Sequence, residues 1–406
     1  MAIIEQRDTE IFQERANPNE TIKTKIDLIA STIVKVEANK ARFASTLLKT
    51  KATFRIPAEI KKEYAINDDA LASRLALQNP AGMKIGAVDG SVLRDSLVGV
   101  DIIASKARGV VFKFYAKKSP IVKYYPQEKN ENFNLFGIFQ NTNAQDLERF
   151  TNAERLLSEL ELVHAILSAE PHLDMMIIDG SLFLPEIFTG SENYYASRYN
   201  KQISEVLKRI LDTSMDHGTI LVGVIKDSVK AEFAGIVGKL IPTCMGAFPA
   251  FKDFLSFDYR QAIQVFKDYD LFYRILLEGE RSFSIRTFPK TAGVIQATEF
   301  DKYLKDNDLG LYSYMFKAVP MDIPLKVEFF SRSDPAIVAS LVEKTSALLY
   351  PLSKINMDYS EPSPQMEAHK RVRIPEQDFK IIIDIIRQKT GFCSTMLQKR
   401  RERKPF

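Results

Sequence analysis

Apolar residues change their spacing several times along this chain, and each change marks a new element. Ile26, Leu28, Ile29, Ile33, Val36, Ala41 and Leu47 are distributed through a segment with no proline between Asn19 and Arg55. That pattern predicts one long amphipathic helix, suited to packing or dimerisation, in a helical region covering residues 1–80. Ile56 to Pro80 reads as a short helix and a loop. From Lys84 the texture becomes that of strands. Ile85–Val88, Leu97–Ala104 and Gly109–Tyr115, separated by turns such as Ser105-Lys106-Ala107-Arg108, predict an antiparallel three-stranded meander. The polar stretch from Lys117 to Asn143, with Pro120, Pro126 and many asparagines, reads as a loop region with room for one short strand.

A helix from Asn152 to about Ser168 follows, with Leu156, Leu157, Leu160, Val163, Ile166 and Leu167 on one face. It leads into Met175-Met176-Ile177-Ile178, an apolar run expected to form a strand buried on both faces and ending in Asp179-Gly180-Ser181. The first strand ends in the same way, at Asp89-Gly90-Ser91. Two such strands place two carboxylates at one edge of one sheet, and like charges that close call for a cation between them. A helix over Glu192–Asp216, a buried strand over Thr219–Ile225 ending at Lys226-Asp227-Ser228, and a helix over Val229–Leu240 continue the series. This α/β order resembles the ribonuclease H-like fold, a mixed sheet flanked by helices, here with helical additions at both termini. Nucleases of that architecture hold two divalent cations with carboxylates from the first strand, the fourth strand and the helix between them.

Beyond residue 240 the chain offers a Phe-rich segment and a helix around Gln261–Leu277. Strands follow at Ser282–Phe288, Leu311–Ala318 and Leu325–Phe330, then a helix from Asp334-Pro335 to Leu349. Tyr350-Pro351-Leu352 opens a loop through Asp358, Glu361, Pro362 and Pro364, and His369 reads as starting a helix beside Lys370 and Arg371. A terminal helix over Asp378–Lys389 and the basic tail Lys399-Arg400-Arg401-Glu402-Arg403-Lys404 close the chain. The tail reads as a charged, flexible end.

Composition adds limits. With 406 residues, 45% hydrophobic and 27% charged, the chain is of ordinary globular type, and its net charge of +4 permits nucleic acid as a partner without demanding it. Cys244 and Cys393 form no CxxC motif, so a zinc knuckle and a disulfide framework are both unsupported, and a reducing, cytoplasmic compartment is expected. There is no secretory signal pattern and no long apolar run, so no membrane role is expected. His164, His172 and His217 have the settings of structural or surface residues.

On the Leu-rich helix, at about 100° per residue, Glu159 lies nearer the apolar face than Glu161 or Glu154, which makes Glu159 the candidate that looks toward the sheet and Glu161 the alternative. Together with Ala87-Val88-Asp89-Gly90-Ser91, Ile178-Asp179-Gly180-Ser181-Leu182, Val224-Ile225-Lys226-Asp227-Ser228, Tyr350-Pro351-Leu352 and Glu367-Ala368-His369, the chain resembles the NurA nucleases over roughly residues 84–375. It departs from them where Ser353 to Gln365 separate the Tyr-Pro and Ala-His pieces, which keeps Asp358 as an alternative late ligand. The resemblance implies a manganese-dependent nuclease, with magnesium as the other candidate ion and two ions per site. It would act 5′-to-3′ as an exonuclease on single- and double-stranded DNA and as an endonuclease on single strands, in double-strand-break end resection. Asp89, Glu159, Asp179 and His369 would hold the metal. Lys226 would neutralise the scissile phosphate, and Lys370 and Arg371 would touch nucleic acid. A HerA-type hexameric ATPase and a second copy of the chain would be partners. The implied organisation is a helical region over 1–80, a nuclease domain over 81–375 and a helix with basic tail over 376–406.

Two other classes share some of these features. Actin-like ATPases and sugar kinases also place Asp-Gly-Ser after strands, but they need a β-hairpin directly after the second motif, where this chain has Leu182-Phe183-Leu184-Pro185. A Walker-type P-loop is absent from the sequence. A catalytically idle scaffold for DNA or a motor is the third class, and the full set of candidate ligands argues against it.

Overall fold

Met175, Met176, Ile177 and Ile178 are all buried, because helices cover both faces of the strand they form. The computed structural model describes residues 21–52, 54–127, 133–139, 144–182, 194–246, 248–287, 299–391 and 393–398. The strands are β1 (Ala72–Arg74), β2 (Lys84–Ser96), β3 (Asp101–Lys113), β4 (Ile121–Tyr125), β5 (Asn134–Ile138), β6 (Met175–Asp179), β7 (Ile220–Ile225), β8 (Glu280–Ser282), β9 (Ile285–Arg286), β10 (Leu309–Lys317) and β11 (Leu325–Arg332). The helices are α1 (Ile22–Thr50), α2 (Ala58–Tyr64), α3 (Ala144–Ala169), α4 (Tyr194–His217), α5 (Glu232–Met245), α6 (Tyr259–Gln264), α7 (Asp268–Ile275), α8 (Glu299–Asp306), α9 (Pro335–Ser353), α10 (Ser363–Val372) and α11 (Glu376–Thr390). Residues 1–20, the residues before Tyr194 in the helix expected from Glu192, Phe288 and the basic tail lie outside the described residues.

Two compact units share these elements. One comprises residues 58–228 and 276–406 and contains a single sheet of eleven strands among the described residues. Its main path runs β1-β8-β10-β11-β7-β6-β2-β3-β4. Strands β2, β6 and β7 are parallel, while β3 runs antiparallel beside β2 and β4 runs antiparallel beside β3. This is the ribonuclease H-like arrangement expected from the sequence. Val88, Met176 and Ile178 meet α3 and α4 through Leu160, Val163, Ile166 and Leu207. Ile85, Ala87 and Ile177 face the other layer, with Val338, Leu348 and Ala368 of α9 and α10. The alternation of these two sets along each strand is the period-2 pattern of a doubly covered sheet.

Three departures from the sequence reading have local causes. The stretch read as two strands with a turn at Ser105-Lys106-Ala107-Arg108 is one continuous strand, β3, and the third strand of the core is β4, inside the stretch read as a loop region with room for one short strand, which holds two, β4 and β5. Those four residues contain no glycine, proline or asparagine to turn the chain, and each pairs with β2. The helix expected to stop at Leu349 continues through Pro351 to Ser353. Proline cannot donate to the Ala347 carbonyl one turn back, and the backbone N–H of Gln78 does so instead, at 3.1 Å. His369 stands in the last turn of α10, not its first, since Pro364 near the start of the helix begins it earlier.

The second unit, within residues 1–57 and 229–275, is held by phenylalanines. Phe43 of α1 packs on Phe254 and Phe266 with centroids 5.3 and 5.4 Å apart, and Phe54 stacks on Phe251 at 5.4 Å. Only the C-terminal part of α1 is buried, while Ile22, Ile26, Ile29 and Ile33 are exposed. The helix expected over Gln261–Leu277 is broken into α6 and α7. The break lets Phe266 reach Phe43, and it lets the buried carboxylate of Asp268 accept from the Glu232 and Ala234 amides, at 3.0 and 2.9 Å, at the start of α5. No helix among the described residues is long and apolar enough to cross a membrane.

A buried carboxylate fastens α3 to the sheet. Glu170 accepts from Lys84 of β2 at 2.9 Å, and from Lys123 at 2.6 Å and Tyr125 at 2.9 Å, both of β4. Burial pushes this carboxyl up, but the bonds from Lys123, Lys84 and Tyr125 outweigh it and hold it at about 2. Because the folded value lies below the unfolded one, the resulting stability is fully present above the ordinary carboxylate range and is lost as pH falls toward 2. Glu170→Gln is therefore expected to lower unfolding free energy at pH 7, read by urea titration, with a smaller difference at pH 3.

Candidate metal centre

The parallel register of β2 and β6 sets Val88 opposite Ile178, so the residues that follow, Asp89 and Asp179, stand side by side where the two strands stop pairing; β6 ends there, whereas β2, expected to end at Asp89-Gly90-Ser91, runs on beside β3 to Ser96. The turn after Asp179 needs Gly180, whose φ of 107° is unfavourable for any side chain. That turn is clamped from β11. Glu328 Oε2 accepts from Ser181 Oγ at 2.6 Å and from the Leu182 amide at 3.0 Å, and its other oxygen pairs with Lys326 Nζ at 3.2 Å. Both Glu328 and Lys326 are fully buried.

Helix α10 supplies two contacts from one face, four residues apart. His369 Nδ1 lies 2.7 Å from Asp89 Oδ2, and Gln365 Nε2 donates to Asp179 Oδ1 at 2.6 Å. One potential ligand atom from each of Asp89, Asp179 and His369 can be chosen so that all lie within 4.8 Å of one another. Lys226, just past the end of β7, reaches Asp179 Oδ2 at 3.3 Å and Glu361 Oε1 at 2.6 Å.

Glu159 approaches from α3, on the opposite face of the sheet. It is fully buried and paired with Arg155, one turn away. Its carboxylate occupies the volume beside Gly90 where any other residue would carry a side chain, since a Cβ there would fall 2.6 Å from Glu159 Cγ. The glycine of the first Asp-Gly-Ser is thus a place where an acid comes in against the backbone. Among the described residues Glu159 Oε2 has no hydrogen-bond partner, although it is buried.

These acids repel one another. Asp89 is held above the usual carboxylate range, first by burial and then by the charge of Asp179, with His369 and the Gly90 amide pulling the other way. Burial pushes Glu159 to about 8; Arg155 opposes that shift, and Asp89 and Asp179 add to it. For Lys226, burial works against the charge, but Asp179 and Glu361 prevail and raise its pKa. Two raised carboxyls and an orphaned buried oxygen in one place describe an acidic centre short of positive charge. Carboxylate oxygens with one imidazole nitrogen suit manganese or magnesium, so the residues present fit a divalent ion.

The structure brings Asp89, Asp179, His369, Glu159 and Lys226 together. Glu161 and Asp358 are exposed and stand outside the cluster. Lys370 and Arg371 are exposed on the last turn of α10. Sequence reasoning missed Gln365, Glu361 and Glu328. Gln365 carried a signal, its spacing of four from His369 on one helix; Glu328 and Glu361 are joined to the site only by tertiary packing. Gln365→Ala is expected to weaken manganese binding about 10- to 100-fold, as loss of a group that orients a ligand does, and calorimetric titration checks it.

A mixed sheet of this order, with Asp89 within β2 just past its pairing with β6, Asp179 at the end of β6 and Glu159 on the intervening helix, defines a metal-dependent nuclease of ribonuclease H-like architecture. The NurA domain family matches residues 83–374. The NurA nuclease from Sulfolobus solfataricus is 15% identical, with a TM-score of 0.52 over 91% of this chain and 97% of that one. A second NurA structure is 11% identical, with a TM-score of 0.46 over 93% and 100% of the two chains. A NurA structure bound to dAMP and manganese is 12% identical, with a TM-score of 0.45 over 93% and 99%. No curated protein sequence matches significantly. The chain belongs to the NurA family.

Proposed function

We propose that this protein is a manganese-dependent nuclease that processes DNA ends, 5′-to-3′ on single and double strands and endonucleolytically on single strands. Under this reading it works in double-strand-break resection, in the cytoplasm, as a homodimer fed by a HerA-type hexameric ATPase. The observation that carries the reading is the convergence of Asp89, Asp179 and His369, with ligand atoms within 4.8 Å, above a buried Glu159. Manganese bound to a related NurA structure supports the choice of ion.

Asp89, Asp179, His369 and Glu159 would hold two divalent ions. Bound ions would supply a water of lowered pKa and charge stabilisation for the attacking and leaving oxygens of an in-line displacement. Gln365 fixes the rotation of the Asp179 carboxylate, and His369 that of Asp89. The Glu328 clamp keeps the turn after Asp179 from drifting. Lys226 sits where it can turn from Asp179 toward a phosphate oxygen, with Glu361 keeping it charged and in place.

Cleavage of 5′- and 3′-labelled single strands in manganese, magnesium or EDTA tests the reading, with and without the motor. Release from the 5′ end in manganese alone is expected. Release from the 3′ end would overturn the polarity, and intact DNA under every condition would overturn the activity. Manganese should also raise the melting temperature by several degrees at ~100-fold excess over Kd, with EDTA reversing it.

A further inference from the structure

Beside the metal centre, on the same face of the sheet, lies an aromatic ring that the chemistry above does not use. Tyr124 belongs to β4, which ends the main path of the sheet. It pairs with Val110, which pairs in turn with Ala87, and Ala87 and Val110 belong to the apolar layer that meets Ala368 of α10. Asp89 is two residues past Ala87 and so faces the same way. Two strand spacings across and two residues along put Tyr124 ~12 Å from Asp89 between Cα atoms.

The ring is already half of a stack. The Arg371 guanidinium lies 3.8 Å from its centroid. Glu367 accepts from Arg371 Nε at 2.9 Å and from the Tyr124 hydroxyl at 3.3 Å, so a single carboxylate ties both groups. Tyr124 is nevertheless 39% exposed and the Arg371 side chain 48%. Lys370 and Arg373, on either side of Arg371, are exposed as well. An uncovered aromatic held against a planar cation and flanked by further cations has the chemistry of a shelf for a nucleobase with its phosphate.

We propose that Tyr124 and Arg371 form a stacking shelf for one unpaired base of the strand whose phosphate enters the Asp89–Asp179 centre. This rests on the nuclease reading and narrows its substrate to strands with a base free to leave its own stack. A base inside a duplex is stacked on its neighbours and cannot present its face to the ring. The ~12 Å from shelf to Asp89 is short beside the ~4–16 nucleotides that single-strand grooves hold. Because Glu367 fixes the pair in advance, a base docks without ordering it first.

The test measures binding of a labelled single strand and of an abasic strand of equal length, in EDTA to block cleavage. It uses wild type, Tyr124→Ala and Tyr124→Phe, with melting curves to confirm folding. Wild type should bind the abasic strand about ten-fold more weakly, in line with the loss of one base–aromatic stack. Tyr124→Ala should lose about ten-fold on the normal strand and little on the abasic one, and Tyr124→Phe should restore most of the difference. Equal loss on both strands, or none on either, would overturn the shelf. Should Tyr124→Ala fail to fold, the wild-type comparison and Tyr124→Phe still decide, since equal wild-type affinity for both strands contradicts the shelf. Wild-type cleavage in manganese is scored alongside: absence of all cleavage overturns the nuclease reading, while normal cleavage without a base effect overturns the shelf alone.

Discussion

Asp179→Asn is expected to reduce manganese-dependent DNA cleavage by about 10³-fold or more, the loss of several kcal/mol of transition-state stabilisation. The same variant should melt at or above the wild-type temperature when no metal is present. The two effects part company because Asp179 is costly in the apo fold. Its charge helps hold Asp89 above the usual carboxylate range, and a raised carboxyl marks stability lost at neutral pH and regained as pH falls. An amide removes that repulsion and keeps an oxygen for Gln365. Lys226 retains Glu361 as its partner. Melting curves without metal, followed by the labelled-strand assay, read both effects on one preparation. A variant that loses activity only because it unfolds would contradict this account.

Gly90→Ala is the second large effect, from the smallest of changes. A methyl group placed there collides with the Glu159 carboxylate, which is buried and tethered to Arg155 and so has little room to withdraw. Overpacking of this kind costs about 1–3 kcal/mol. Activity should fall about 100-fold, because the acid is driven from its place beside Asp89 rather than removed. Glu159→Ala removes Cγ and the carboxylate, the atoms that a methyl group at Gly90 would meet. In the Gly90→Ala background it is therefore expected to recover stability, whereas alone it should lose both stability and activity. Such a sign change in a double-mutant cycle is what direct contact produces. Additive losses would mean that Gly90 and Glu159 do not meet.

The same pair of residues shows how far the sequence could be read. The two acids were legible because an apolar run stopping at Asp-Gly-Ser is a local pattern, although only Asp179 ends its strand and β2 runs on past Asp89 to Ser96, and Glu159 was legible because a helical repeat points it at the sheet. Why the residue after Asp89 has to be glycine was not legible, since the reason lies on a helix about 70 residues later in the chain. Burial of both sheet faces also hid β3: with apolar and small residues on either side, nothing in the local alternation showed that Ser105 to Arg108 continues a strand. Strand β4 was hidden by its own polarity, because Lys123 and Tyr125 reach Glu170 and so make a paired strand look like loop. Glu328 lay beyond sequence reasoning for the same cause as Gly90, its partners Ser181 and Leu182 being two strands away across β7.

The central claim is that the cluster of Asp89, Asp179 and His369 holds the metal on which DNA cleavage depends. The most direct measurement titrates manganese into metal-free wild type and Asp179→Asn by calorimetry, and assays single-strand cleavage on the same samples. The account predicts binding and cleavage in the wild type and loss of both in the variant. Cleavage that persists in EDTA, or that survives in Asp179→Asn at unchanged rate, would contradict it.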